Sequence, residues 1–258
     1  MLDGKVAVIT GSAIGIGQGI CRVMAEQGAH IAAIDIDFHN NAQTAQQVRQ
    51  TGAECLNIAC NVGDRIAVRE AFNNILDRWG RIDLLVNNAA VWDDSALTSG
   101  TYEAGSAEFE RSMGACIMGT YYCSRAATPA LIASGEGNIV NMITEHVKEG
   151  HYLSGRPALG YDAAKFGQWR LTAVMAEELA PHYVRVNGLC FGATDTPMLR
   201  GVAPEMADAA MKPADLGQAI LNIMAHGPDG PSGETYLFGT SGSSRAESLQ
   251  AIAALAPT

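Results

Sequence analysis

An alternation of two kinds of segment constrains this chain more than any single motif. Short apolar runs stand at "KVAVIT" (5–10), "HIAAID" (30–35), "CLNIAC" (55–60), "IDLLVN" (82–87), "NIVNMI" (138–143) and "VRVNGL" (184–189). They show little polar–apolar alternation, which is the pattern of strands covered on both faces. Between them, segments such as 16–27, 64–79 and about 106–133 repeat their apolar residues with helical period. Regular strand–helix alternation implies a parallel sheet with helices packed on both faces. The expected fold is therefore α/β: a doubly wound parallel sheet in three layers, with "GETYLFG" (233–239) as a closing strand. A ligand of such a sheet sits outside the carboxyl ends of the strands, near the point where strand order reverses. No repeat, low-complexity tract or charged linker divides the chain. One domain is expected over residues 1–240, with 241–258 as a C-terminal tail.

The bulk properties narrow the partners. A chain of 258 residues is long enough to bury a substantial single core. Its net charge of −10 argues against a nucleic-acid backbone or an anionic membrane surface as partner. No apolar run approaches the ~20 residues needed to cross a bilayer. Asp3 and Lys5 stand directly before the first apolar run, which leaves no room for a leader peptide. The cysteines at 21, 55, 60, 116, 123 and 190 form no CxxC and no metal-ligand spacing. They read as reduced, buried thiols of a cytoplasmic protein, with no metal site expected.

The first run leads straight into "GSAIGIG". Glycines at 11, 15 and 17 let the backbone turn tightly and approach a pyrophosphate, which then rests on the amides and dipole of the following helix. Gly11, Ile14, Gly15, Ile16 and Gly17 are the candidate phosphate-binding residues. Asp35 closes the second run, 18 residues beyond Gly17. A carboxylate there accepts the hydroxyls of an adenosine ribose and repels a 2′-phosphate. No Arg or Lys lies between Arg22 and Arg49 to receive that phosphate, so NAD is favoured over NADP. Taken singly, Asp35 fits a helix cap equally well. Together with the glycines it makes a Rossmann-like dinucleotide site.

Further along, "YDAAK" spaces Tyr161 and Lys165 four residues apart, on one face of a helix. That spacing suits an amphipathic surface pair as well as a proton-transfer couple. The surrounding motifs bear on the choice. In order, "TGSAIGIG" (10–17), "NNAA" (87–90), "YDAAK" (161–165) and "FGATDT" (191–196) match the TGxxxGxG, NNAG, YxxxK and PGxxxT patterns. On these four, over about residues 3–240, the chain resembles the single-domain branch of the short-chain dehydrogenase/reductase family. The resemblance implies that Asn61 and Val62 flank the adenine, Asn88 lies beside the adenosine, and Thr194 and Thr196 approach the nicotinamide carboxamide. It further implies Tyr161 as the general acid/base and Lys165 as the group that holds the ribose and lowers the phenol pKa. A homotetramer acting on a small molecule is implied as well.

Physical chemistry asks for such a couple. A free phenol titrates near pH ~10, too high for a base at neutral pH, and nearby positive charge stabilises the phenolate. A third group must fix the substrate oxygen. Where the family has a serine this chain reads "NMIT", so Thr144 aligns, keeping the hydroxyl and adding a methyl.

Three departures from the family pattern stand out. Cys116 replaces the helix-four asparagine of a water-linked relay, so that relay runs differently or depends on a backbone carbonyl. Phe191 replaces the proline of PGxxxT. The stretch between Thr144 and Tyr161 is long and polar, and places His146 and His151 as candidate substrate contacts, with Trp92 and Phe191 beside the cofactor wall. "NNAAVWDDS" and "ELAPHYVRVNG" are similar to ring-dihydrodiol dehydrogenases, which implies a cyclic or aromatic alcohol. The leading expectation is NAD-linked hydride transfer between nicotinamide and a secondary alcohol or ketone. Cys116 and Phe191 motivate the alternative, a catalytically weakened NAD(H)-binding sensor or partner subunit.

Overall fold

The computed structural model of the protein describes residues 2–148, 158–240 and 243–257. The apolar runs form strands β1 (Val6–Thr10), β2 (His30–Asp35), β3 (Cys55–Ala59), β4 (Leu84–Asn87), β5 (Asn138–Met142), β6 (Arg185–Phe191) and β7 (Thr235–Phe238). They pair in parallel throughout, in the order β3-β2-β1-β4-β5-β6-β7. Strand order therefore reverses between β1 and β4, the place where an open α/β sheet leaves a crevice at its carboxyl edge. Every residue of β1, β4 and β5 is buried. That burial on both faces is why their sequences lack alternation.

Helices α1 (Gly15–Glu26), α2 (Phe38–Gln50) and α3 (Arg65–Trp79) return the chain to the sheet. Local chemistry fixes their ends. The Asp37 carboxylate accepts from Asn40 N at 3.0 Å to start α2, and that of Asp64 accepts from Ile66 N at 2.8 Å to start α3. α3 stops at Gly80, which adopts φ 67°. The two sheet faces carry separate cores. One packs Ile9, Ile20, Met24, Ile31 and Ile220 together, the other Val8, Phe72, Ile75, Leu85 and Leu131.

The expected long helix at about 106–133 is present with an interruption. α4 (Tyr102–Met113) runs through a π-helical turn (Gly114–Met118) into α5 (Gly119–Ser134). A π-turn carries an extra residue, so the register of inward-facing side chains shifts across it, and such turns recur at functional sites. Cys116, fully buried, lies in this turn. α6 (Leu159–Leu179) carries Tyr161 and Lys165 on its first turns, and α7 (Pro197–Val202) and α8 (Pro213–Met224) follow β6. Beyond β7, α9 (Arg245–Ala253) docks on α8. Arg245 forks onto the Asp215 carboxylate at 2.8 and 2.9 Å, and Asn222 Nδ2 donates to Ile252 O at 2.7 Å. No helix among the described residues is long and apolar enough to cross a membrane.

Candidate active site

A cleft of about 350 Å³ opens along the carboxyl ends of β1, β4, β5 and β6. At one end it is floored by Gly11, Ile14, Gly15 and Ile16, with Asp35 on the rim. Gly15 takes φ +63°, a conformation open to glycine, and faces the Thr196 methyl. Gly17 lies outside the lining. A Cβ on it would fall 2.1 Å from Gly11 O, so this glycine lets α1 close onto the turn behind it. Ile14, at the N-cap of α1, supplies no side-chain cap, and the first turn holds no acidic residue. The leading N–H groups and the positive end of the helix dipole therefore have no anionic partner from their own helix.

Asp35 ties this turn to β2. Its carboxylate accepts from Ala13 N and from Asp37 N, both at 2.9 Å, and each oxygen keeps lone pairs for a further donor. Asn88 Nδ2 donates to Thr10 O at 2.9 Å and to Gly11 O at 3.0 Å. Its amide is thereby committed to holding the glycine turn. Asn61 and Val62 stand away from the cleft lining: Asn61 accepts from Gly63 N at 3.0 Å, and Val62 packs where a Cβ on Gly119 would meet it.

The other end of the cleft gathers Thr144, Tyr161 and Lys165. Thr144 ends the β5 segment and starts a 3-10 turn, Glu145–Val147. Its hydroxyl is hydrogen-bonded to the Tyr161 phenol. Lys165 Nζ lies 5.7 Å from the Tyr161 ring centroid and donates to Met142 O at 2.5 Å and Gln168 Oε1 at 2.9 Å. Burial dominates the titration of both groups. It pushes the phenol above its ordinary value, with the thiol of Cys116 acting the same way and the Thr144 hydroxyl opposing. It pulls the ammonium below its ordinary value, with Cys116 opposing. Positive charge favours the phenolate, and an oxidised nicotinamide would add a second such charge beside Lys165.

The residues present fit a dinucleotide. Thr194 Oγ1 is buried at 4 % exposure of its residue, lines the cleft, and has no hydrogen-bond partner among the described residues. A carboxamide would satisfy it. Thr196 lines the same wall but spends its hydroxyl accepting from Leu199 N at 3.1 Å, so it caps α7.

Around Tyr161 the walls are aromatic and apolar. Trp92 lies 5.1 Å and His146 6.1 Å from the tyrosine ring, centroid to centroid. His146 Nδ1 bonds Asp162 Oδ1 at 2.8 Å, which fixes the imidazole. Phe191, Met198, Leu199 and Met206 complete this end. His151 lies outside the described residues. Among the described residues no group of three or more metal-ligating side chains forms.

Two residues here carry no motif. Asp93, at 1 % exposure, accepts from Tyr161 N at 2.5 Å and from the amide and hydroxyl of Ser95. It caps the start of α6, whose own N-cap residue, Ala158, has no side chain to do so. Gln168, fully buried, bridges Lys165 to the π-turn side. "WDDS" and "AKFGQW" contain the two residues; the fold brings Asp93 to Tyr161, and helix spacing alone sets Gln168 beside Lys165.

Comparison with known proteins agrees with this geometry. The short chain dehydrogenase profile matches residues 5–207. Sorbitol dehydrogenase of Cereibacter sphaeroides is 34% identical over 80% of this chain and 77% of its own length. The 3-oxoacyl-[acyl-carrier-protein] reductase FabG of Thermotoga maritima is 30% identical over 85% and 90% respectively. Among solved structures, 3-ketoacyl-(acyl-carrier-protein) reductase from Brucella melitensis, complexed with NADH, superposes with a TM-score of 0.81 at 26% identity, covering 93% of this chain and 99% of its own. With its switch-point cleft, glycine turn and Thr144–Tyr161–Lys165 cluster, this chain belongs to the short-chain dehydrogenase/reductase family of oxidoreductases.

Proposed function

We propose that the protein is an NAD-dependent dehydrogenase or ketoreductase acting on an uncharged secondary alcohol or ketone, in the cytoplasm, as a homotetramer. The observation that carries the reading is the convergence, at one end of the cleft, of the Thr144 hydroxyl, the Tyr161 phenol and the Lys165 ammonium, opposite an acidic Asp35 at the other. NAD, when bound, accepts or returns the hydride at the substrate carbon. The chain's own side chains do the rest. Thr144 holds the substrate oxygen by donating to it. Tyr161, as phenolate, takes the hydroxyl proton in oxidation and gives it back in reduction. Lys165 steadies the phenolate and, with its remaining N–H, holds the ribose. Asp35 accepts the adenosine hydroxyls, and its charge disfavours a 2′-phosphate at that position.

Relatives named for sorbitol and D-threitol act on open-chain polyols. The cleft here supports a less hydroxylated substrate, because Trp92, Phe191, Met198, Leu199 and Met206 offer aromatic and apolar contact beside Glu145 and the His146–Asp162 pair. A ring-containing alcohol or ketone suits those walls. The test is a panel of polyols, cyclic alcohols and cyclic ketones assayed by nicotinamide absorbance with each cofactor. Turnover of cyclic substrates is expected, with NAD(H) bound at least about tenfold tighter than NADP(H) and the gap narrowed in Asp35→Ala. Equal affinities would refute the role of Asp35. Tight NAD(H) binding without turnover of any alcohol or ketone would favour the sensor or partner-subunit reading.

A further inference from the structure

The ammonium of Lys165 is the most deeply buried cation near the cleft, at 2 % exposure. It has three N–H donors. Two are committed within the protein, to Met142 O at 2.5 Å and to Gln168 Oε1 at 2.9 Å. One is left for the cleft. The onward contacts of Gln168 all run in a single direction. Its Nε2 donates to Thr120 Oγ1 at 2.8 Å, and the Thr120 hydroxyl donates to Cys116 O at 2.7 Å. The same Nε2 stands 3.4 Å from Asn87 O, a second acceptor. The chain Lys165–Gln168–Thr120–Cys116 therefore ends on a carbonyl in the π-turn and contains no group that gives or takes a proton at neutral pH. It polarises and does not relay.

We infer that Gln168 is a positioning residue, one that keeps Lys165 protonated and pointed at Tyr161 by accepting from its ammonium deep in the protein. The inference rests on the dehydrogenase reading for its functional meaning, and on the hydrogen-bond chain alone for its physical content. Removing the acceptor leaves the buried cation one neutral oxygen, and its neutral form gains. The titratable groups around it are Tyr161, a turn back on α6, and Cys116 on the π-turn, with Asp162 acting on Tyr161 and Glu145 lining the same cleft. None of these is a hydrogen-bond partner of Gln168 among the described contacts, so a change at residue 168 reads out on Lys165 first.

The sequence has lysines at 5, 148, 165 and 212, few enough to resolve the ε-methylene resonances of isotope-labelled lysine and to assign Lys165 by its loss in Lys165→Met. In the full-length protein without cofactor, Lys165 should titrate about one to two pH units lower in Gln168→Met than in the parent. Thr120→Val, which unties the far end of the amide, should move it the same way by less. A folded Gln168→Met with Lys165 titrating at the parent pH overturns the inference. Should Gln168→Met not fold, an unmoved Lys165 in Thr120→Val overturns it equally. A residue that merely fills space would lower the melting temperature and leave the titration where it was. In turnover, the oxidative pH profile of Gln168→Met should shift to higher pH, because a lysine that loses its proton earlier stabilises phenolate less. A parent with no turnover would fail the dehydrogenase reading and leave the resonance test intact.

Discussion

At the scale of single residues, what distinguishes the cleft is how few polar atoms in it are spare. Asp35 oxygens each hold a backbone amide, Asn88 holds the glycine turn, and Thr196 caps a helix. The groups left to act are the Thr144 hydroxyl, the Tyr161 phenol, one N–H of Lys165, the remaining lone pairs of Asp35 and the Thr194 Oγ1, unpartnered among the described residues. Thr144 is the residue where the chain departs from the family serine while keeping the function of a hydroxyl. Thr144→Ser should retain most turnover. Thr144→Val preserves shape and removes donor and acceptor together, and should cost about 10²-fold or more in kcat. Normal turnover by Thr144→Val would move the orienting role elsewhere, with His146 the next side chain to test. The glycine turn, Asp35 and "YDAAK" were all legible in the sequence because backbone geometry or proton chemistry dictates their residue type and spacing. Asp93 and Gln168 were not. Asp93 acts across 68 residues, and Gln168 joins Lys165 on its own helix to Thr120, 48 residues away; their local sequence looks like any loop or helix.

At the scale of elements, the site depends on how α6 starts. Its own N-cap, Ala158, has no side-chain acceptor, and the Asp93 carboxylate from the segment after β4 takes that place, on the amide of Tyr161 itself. The close approach leaves no room for a Cβ at Gly160, which would fall 2.8 Å from that carboxylate. Asp93→Ala should therefore destabilise the fold by about 0.5–2 kcal/mol, the usual cost of a lost cap, and lower turnover by displacing the phenol. Thermal unfolding together with kcat checks both. A loss of stability with unchanged kcat would show that the cap does not position Tyr161. The π-turn is the other element the sequence concealed. Periodicity gives one long helix at 106–133, and the one-residue shift in register at Gly114–Met118 is too small a break to divide it in the sequence. Strand positions were the most legible, because burial on both faces demands unbroken apolar runs.

At the scale of the whole molecule, alternation with parallel pairing and right-handed crossovers leaves few arrangements, and the order β3-β2-β1-β4-β5-β6-β7 is one of them. The outer surface holds a feature the core does not need. Met118 and Tyr121 on the α5 side, and Phe166, Trp169 and Val174 along α6, are 41–50% exposed. Apolar side chains grouped on adjacent helices favour burial against a partner, and a second copy of this chain fits the tetramer proposed above. Phe166→Glu/Trp169→Glu should reduce the solution mass by sedimentation or light scattering while the fold persists. An unchanged mass would place the subunit contact on another face, and a monomeric parent would remove the proposal.

The central claim is that Tyr161 is the base in oxidation, its phenolate favoured by Lys165 and by the positive charge that an oxidised nicotinamide would add. The most direct measurement is the pH dependence of kcat for NAD+-linked alcohol oxidation, in the parent and in Cys116→Ser. Burial and the Cys116 thiol both raise the phenol in the free chain, whereas positive charge in the loaded cleft lowers it, so the account predicts activity rising with pH to a plateau at an apparent pKa below the ~10 of free tyrosine, a rise that persists at the same or lower pH in Cys116→Ser and is abolished with turnover in Tyr161→Phe. A rise that vanishes with Cys116, or that survives in Tyr161→Phe, would contradict it.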